Sequence, residues 1–420
     1  MVRPSRPGPA LTVVGSTHDR LLQHAPISVA FFFEGTLDAV VLAGALAQAL
    51  ERVPVFAGRL SPGARLEIAC DGSGAAWSTA RSGRTLAQVL DAVERGEALE
   101  LVDMVDTRKA RAERGPLLTA RLAHLADGSS VLGVGWHHSV GDMHSFMLLM
   151  RAWSEAHQGR PATEALVVED REGYLRQRVP RGGSTRPGLR VLSALDRARL
   201  VPFALWTLKR MQTMRVAFAP AEVAALKTAL SEECGQRVST NDAICAHLLE
   251  VVASFDGRAR ALALPINFRK RAGLDERLVG NLLSFLVLPG VRAERASATA
   301  ARLRAAMNRF SEDHLDYHST VDFVAARGGR LKDCAQLSAD PLRPTLLVTN
   351  WTRFGVYDLQ LGGHRPVHFT PVGDAPLPWL SGLVEGQRNE GLLWFAQFPR
   401  RLTGLLASPE GQRRLHRYRG

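Results

Sequence analysis

One stretch of the chain concentrates side chains able to move protons: Trp136-His137-His138-Ser139-Val140-Gly141-Asp142-Met143-His144. An imidazole titrates near neutral pH and can take a proton from a hydroxyl or amine as that group attacks a carbonyl. Histidine and aspartate also serve as metal ligands. Against a metal stands the adjacency of His137 and His138, which point to opposite faces of a strand. A third reading is burial of either imidazole as hydrogen-bonded packing. For the general-base reading, Asp142 follows His138 by four positions and can brace the turn, while Gly141 between them allows a tight backbone path.

The flanking patterns say what must hold this run. Leu117–Leu125 and Ser130–Trp136 read as two strands separated by the turn signal Asp127-Gly128. Helical spacing resumes after Asp142, with Phe146, Leu149, Met150 and Trp153 on one face. Upstream, Ile27–Glu34 suits a strand, and Leu37–Glu51 suits an amphipathic helix with Val40, Leu42, Leu46 and Leu50 on its apolar side. From about residue 161 to 200 charges, Pro and Gly crowd together, as in a linker. Beyond it, Arg215–Phe218 reads as a strand, and Pro220 opens a helix over 221–230. Ser239 or Thr240 caps a further helix running to about Ser254. Strands follow at Leu262–Phe268, Leu283–Leu288, Leu346–Trp351, Pro366–Pro371 and Gly391–Phe398. Strands and helices mix in both halves, which gives an α/β (α+β) class with an N-terminal domain over 1–165, a crossover over 166–214 and a C-terminal domain over 215–420.

Composition narrows the function classes. The 420 residues are 46% hydrophobic and 22% charged, which excludes a disordered polyelectrolyte. The net charge of +12 raises nucleic acid, acidic membrane surfaces and phosphorylated small molecules as partners. Its texture argues against nucleic acid: five of the 53 basic residues are lysine, the arginines are scattered, and no basic stripe interleaves with aromatics. Apolar stretches such as Val29–Phe33 and Ala39–Ala47 are too short to span a bilayer. No secretory signal pattern opens the chain, and Cys70, Cys234, Cys245 and Cys334 show no Cys-x-x-Cys pairing, so reduced thiols in a cytoplasm are expected.

His138-x-x-x-Asp142 between strand and helix resembles the HxxxDG signature of BAHD-type acyltransferases, members of the chloramphenicol acetyltransferase and condensation-domain superfamily. Five further segments keep the family's order. Pro54-Val55-Phe56-Ala57-Gly58-Arg59-Leu60 resembles its P-x-A-G-R-L segment, with Pro one place further back. Ser239 to His247 is similar to its S-T-x-D/E-A-L-x-A-H helix. Asn267-Phe268-Arg269-Lys270-Arg271 followed by Gly280-Asn281 resembles its N-x-R-x-R…G-N block. Thr349-Asn350-Trp351-Thr352-Arg353 resembles its T-S-W-x-R segment, and Gln360 to Pro366 falls where DFGWG-x-P should lie. At that last position the acid is Gln360 and Trp is Gly363, so an ion pair there must be lost or replaced. The Gly after the Asp is Met143, and a positive φ there would be costly. The pair His137-His138 is also similar to the HHxxxDG of condensation domains and bacterial wax-ester enzymes, which suggests a diverged bacterial member.

The resemblance implies two chloramphenicol-acetyltransferase-like domains with a central channel, and a monomer. It implies that His138 is the general base for direct attack on a thioester in a ternary complex. Thr349 and Trp351 would stabilise the oxyanion. Asp142 would pair with an arginine of the second domain, Arg269 first and Arg271 second, with Asn267, Gly141 and His137 as structural support. The co-substrate would be acyl-coenzyme A, with no permanent cofactor or metal and with Arg353 on the donor side. An acyl carrier protein is the alternative donor, and a non-catalytic binding protein retaining the fold is the alternative from another class.

Overall fold

A computed structural model describes residues 1–6, 11–97, 100–208, 210–258, 261–290, 295–340, 342–373 and 379–420. Two sheets organise the chain. The first has five strands in the order His368–Pro371, Pro26–Phe33, Ser130–His137, Leu118–His124, Ala76–Arg81. All neighbours in it are antiparallel except the last pair. The second has six strands in the order Leu283–Pro289, Ala261–Asn267, Leu346–Asn350, Leu380–Glu385, Leu392–Pro399, Met211–Phe218. Each sheet carries its own large apolar cluster.

Within strand Pro26–Phe33 the run Val29–Phe33 is unbroken apolar because both of its faces are covered. Val29, Phe31 and Phe33 enter the main core, while Ala30 and Phe32 enter a smaller cluster with Val89 and Val131. Helix Ala39–Arg52 starts at Asp38, whose carboxylate accepts from the N–H groups of Val40 and Val41 at 2.8 and 3.0 Å. Val40, expected on the apolar side, is 81% exposed, and the buried stripe is Leu42, Ala45, Leu46, Ala49 and Leu50. Small alanines carry much of that stripe, which lets the helix lie close against helix Met143–His157. Phe146, Leu149, Met150 and Trp153 are fully buried there, and the Trp153 indole N–H donates to the Leu42 carbonyl at 2.9 Å.

Most expected strands and helices are present within a few residues, with Pro220 opening helix Pro220–Glu233 and Ser239 rather than Thr240 capping helix Thr240–Phe255. The stretch read as a linker is different. It contains helix Arg171–Arg178, strand Leu189–Val191 paired with Cys334–Gln336, and helix Ala194–Leu208. Its charged texture belongs to exposed sides of short elements, while Arg171, Leu175 and Val179 are buried. The C-terminal part also lends strand His368–Pro371 to the first sheet, pairing Phe369 with Phe31. That strand covers an edge that would otherwise present unpaired N–H and C=O groups.

Candidate active site

Strand Ser130–His137 delivers the chemistry-bearing run to the boundary between the sheets. Trp136 fixes its end: the indole stacks on Phe146 at a 4.0 Å centroid distance and donates to the Gly141 carbonyl at 3.1 Å. His137 turns into the protein, 1% exposed, with Nδ1 accepting from the Ser139 N–H at 3.3 Å and lying 2.6 Å from its hydroxyl. Burial pushes its pKa down to about 4, so it is neutral. His138 lies just past the strand and lines a cavity of about 260 Å³. Burial lowers its pKa, with its own carbonyl, Asp142 and Asn281 opposing.

Asp142 caps helix Met143–His157 and is turned toward Arg269. Its Oδ1 accepts from the Ser145 N–H and hydroxyl, each at 3.0 Å, and from Arg269 Nη2 at 3.1 Å. Its Oδ2 accepts from Arg269 Nη1 at 2.8 Å and the Leu282 N–H at 3.1 Å. Burial acts to raise the Asp142 pKa, but Arg269 and the Ser145 N–H outweigh it and the net shift is downward. Arg269 is 1% exposed and also donates to the carbonyls of Leu278 and Gly280, both at 2.9 Å. Asn267 supports it, accepting from the Arg269 N–H at 3.0 Å. Arg271 does not join this cluster: its guanidinium lies over the Phe310 ring, 5.1 Å from the centroid. The reason is the tight turn 270–272, which carries Arg271 away from Arg269.

Gly141 is needed for close approach rather than for a positive φ. A Cβ there would stand 2.6 Å from Ser145 Oγ. Met143, expected to strain the turn, is the first residue of an ordinary helix and needs no positive φ. The altered segment at Gln360 is held by main-chain hydrogen bonds instead of an ion pair. The Gln360 N–H donates to Ser154 Oγ at 2.9 Å, Ser154 donates back to the Gln360 carbonyl at 3.0 Å, and the Gly362 N–H reaches His157 Nε2 at 3.2 Å. Polar residues at the C-terminal end of helix Met143–His157 thus replace the missing charge.

The cavity is walled by both sheets. Pro26, Ile27 and His138 face it from the first, and Leu283, Phe285, Thr349 and Phe395 from the second. Asn267, Asn350 and Trp351 also line it, and the Trp351 ring lies 6.1 Å from that of Phe395. His144 lines it with Nε2 donating to the Glu276 carbonyl at 2.6 Å. Arg353 is exposed, outside the lining residues, in a left-handed conformation (φ 65°) with its N–H bonded to Glu385. Among the described residues no cluster of His, Cys, Asp or Glu is placed to hold a metal ion. Among them also, no helix is long and apolar enough to cross a membrane.

Two residues of this neighbourhood, Asp19 and Arg171, escape sequence reasoning, and a third, Asn281, stands in the Gly280-Asn281 motif without a role read for it. Asp19, Arg171 and Asn281 are each at most 2% exposed and meet beneath the His138 turn. Ser16-x-x-Asp19 carries a capping-box pattern, which explains the helix but not the long-range partner. Arg171 carries no local signal at all.

The two-sheet fold, with a cavity walled by both sheets, a histidine on its wall and a buried Asp–Arg brace behind it, is shared by solved structures. The chain superposes on F. graminearum TRI101 complexed with coenzyme A and deoxynivalenol with a TM-score of 0.77 at 16% identity, covering 96% of this chain and 99% of that one. For vinorine synthase the TM-score is 0.68 at 18% identity, covering 96% and 94%. The transferase-family profile matches residues 1–376, and the chain belongs to that family, the BAHD acyltransferases. It is 27% identical over 372 residues to a hydroxycinnamoyl-CoA:5-hydroxyanthranilate N-hydroxycinnamoyltransferase of Avena sativa, covering 81% of this chain and 79% of that protein. It is 24% identical over 424 residues to shikimate O-hydroxycinnamoyltransferase of Nicotiana tabacum, covering 93% of each. These relatives are plant enzymes, so the expectation of a bacterial member is not borne out.

Proposed function

We propose that the protein transfers an acyl group from an acyl-coenzyme A thioester to a hydroxyl or amine of a small-molecule acceptor, with His138 as the general base. The observation that carries this reading is a neutral, half-buried imidazole on the wall of a cavity shared by both sheets. His138 takes the proton from the acceptor as its oxygen or nitrogen attacks the thioester carbon in a ternary complex. The tetrahedral oxyanion forms beside Thr349 and Trp351, whose hydroxyl and indole N–H are suitable donors. Collapse breaks the carbon–sulfur bond, and the proton held on His138 passes to the departing sulfur. Asp142 and Arg269 take no part in proton transfer; they fix the turn on which His138 stands. Arg353 is assigned to the donor side, where its exposed charge suits a coenzyme A phosphate. Residues 1–165 and 215–420 are taken as the two domains of a cytoplasmic monomer, with 166–214 as the crossover between them.

The names of relatives suggest where to begin. Several act with hydroxycinnamoyl donors, on acceptors that include 5-hydroxyanthranilate, shikimate and agmatine. Purified protein is mixed with p-coumaroyl-coenzyme A and a panel of alcohols and amines, and free thiol and product mass are followed. Wild-type turnover, with a fall of about 10²- to 10⁴-fold in His138→Ala, is the expected result. Near-wild-type turnover in that variant removes His138 from the base role. Activity confined to acyl groups presented on a carrier protein replaces the donor assignment, and no thiol release from any donor leaves a binding protein.

A further inference from the structure

The turn that carries His138 is gripped from below by a second buried ion pair. Asp19, on the helix Thr17–Leu22, is completely buried and meets Arg171 Nη1 at 3.2 Å. Arg171 donates to the carbonyls of Ser139 and Val140 at 3.2 and 2.9 Å. Asn281 uses its Nδ2 to donate both to Asp19 Oδ1 at 2.8 Å and to the carbonyl of His138 at 2.7 Å. Its own N–H also donates to Asp19 Oδ1, at 3.0 Å. Three successive carbonyls of the turn, 138, 139 and 140, are therefore held by side chains from the second domain and the crossover. Two atoms are left over at the same spot: Asn281 Oδ1 and His138 Nδ1 are both buried and lack a hydrogen-bond partner. One is an acceptor, and the other is a donor only if it carries the imidazole proton. A buried polar atom without a partner is costly, and the Asn281 side chain and the carbonyl of His138 itself both favour a proton on the ring, so a small rotation of the amide or ring that brings Asn281 Oδ1 to Nδ1–H favours that tautomer.

We propose that Asn281, locked by the Asp19–Arg171 pair, is a positioning residue that holds His138 as its Nδ1–H tautomer with the Nε2 lone pair turned to the cavity. The inference rests on the reading of His138 as the base. The Asp142–Arg269 brace fixes the far end of the turn, while this second network fixes the residue that reacts. It also accounts for the buried charge of Arg171 in a stretch whose sequence reads as a linker, since a planar guanidinium holds separate N–H groups at fixed spacing for two carbonyls and Asp19, which the single nitrogen of a lysine does not.

The test reads the imidazole directly. Protein labelled with ¹⁵N-histidine, with the His138 resonances assigned by their loss in His138→Gln, reports which ring nitrogen carries the proton. Wild type is expected to show the Nδ1–H form. In Asn281→Ala the two tautomers mix, kcat with p-coumaroyl-coenzyme A falls about 10- to 100-fold, and KM for that donor stays within about twofold. Asp19→Asn keeps the size of the side chain and loosens its hold on Asn281, so it shifts the same resonances in a second fold background. Arg171→Lys keeps the charge, loses one of the two carbonyls, and gives a smaller fall in kcat. A folded Asn281→Ala, or failing that a folded Asp19→Asn, with an unchanged His138 tautomer and unchanged kcat overturns the proposal. A wild type that shows the tautomer but releases thiol from no donor overturns the acyltransfer reading instead.

Discussion

Replacing Asp142 by Asn changes one charge and almost no volume, and the structure sets the cost. The carboxylate accepts five hydrogen bonds, two from Arg269, two from Ser145 and one from the Leu282 N–H. An amide offers one acceptor oxygen and one NH₂ group, so at least the two donors aimed at Oδ2, or the three aimed at Oδ1, meet another donor. The Arg269 charge, 1% exposed, then has no carboxylate facing it. Breaking one partner of such a pair costs about 3–5 kcal/mol, far more than the modest net worth of the pair itself. Asn remains a good N-cap, so little of the loss comes from the helix end. For a cooperative unit of about 200 residues this lowers the melting temperature by roughly 10 °C. Thermal unfolding by fluorimetry reads the loss, and thiol release at a temperature where the variant is folded reads the activity, which falls because the turn under His138 is no longer fixed. The double variant Asp142→Asn/Arg269→Gln removes both charges and is expected to cost less than the two single changes together, by about 2 kcal/mol or more. A melting temperature unchanged in Asp142→Asn, or strict additivity in the cycle, refutes the bracing argument.

Two further outcomes follow from the same geometry. Gly141→Ala forces a Cβ against Ser145, which cannot move because its hydroxyl is tied to Asp142, Arg269 and Gly280; a loss of about 1–3 kcal/mol in urea unfolding, with reduced turnover, is expected. His137, His247 and His368 are held by burial at pKa values of about 4, against about 6.5 when unfolded. The unfolded chain therefore binds protons that the folded chain refuses. Stability is complete above pH about 6.5 and drains as pH falls toward 4, by about 3 kcal/mol for each histidine. Urea midpoints measured at pH 7.5, 6 and 5 that stay level would contradict this.

How far the residues spoke for themselves varies with the range of the interaction. The strand–turn–helix around His138 is legible because its cues are local: an apolar run up to Trp136 after the Asp127-Gly128 turn, and a 3.6-residue spacing through Phe146, Leu149, Met150 and Trp153. Arg269 as the partner of Asp142 came through resemblance, since nothing in the spacing joins residues 127 positions apart. Val40 misled because the true stripe uses alanines, whose burial leaves a weak hydrophobic signal. The stretch 161–200 misled for the opposite reason, its charges hiding a helix whose one buried arginine matters most.

The sequence by itself determined the mixed α/β class, the elements that carry the histidine run, and the placing of Asp142 four positions after His138 at the turn between strand and helix. These depend on propensity, periodicity and capping, which act over a few residues. Only the tertiary structure decided which of the two adjacent histidines faces the cavity, which arginine meets Asp142, and how the loop at Gln360 is held without an acid. It alone brought Asp19, Arg171 and Asn281 to one point beneath His138. Those outcomes depend on burial and on hydrogen bonds between distant segments, where the cost of leaving a charge or a polar atom unpaired selects one arrangement.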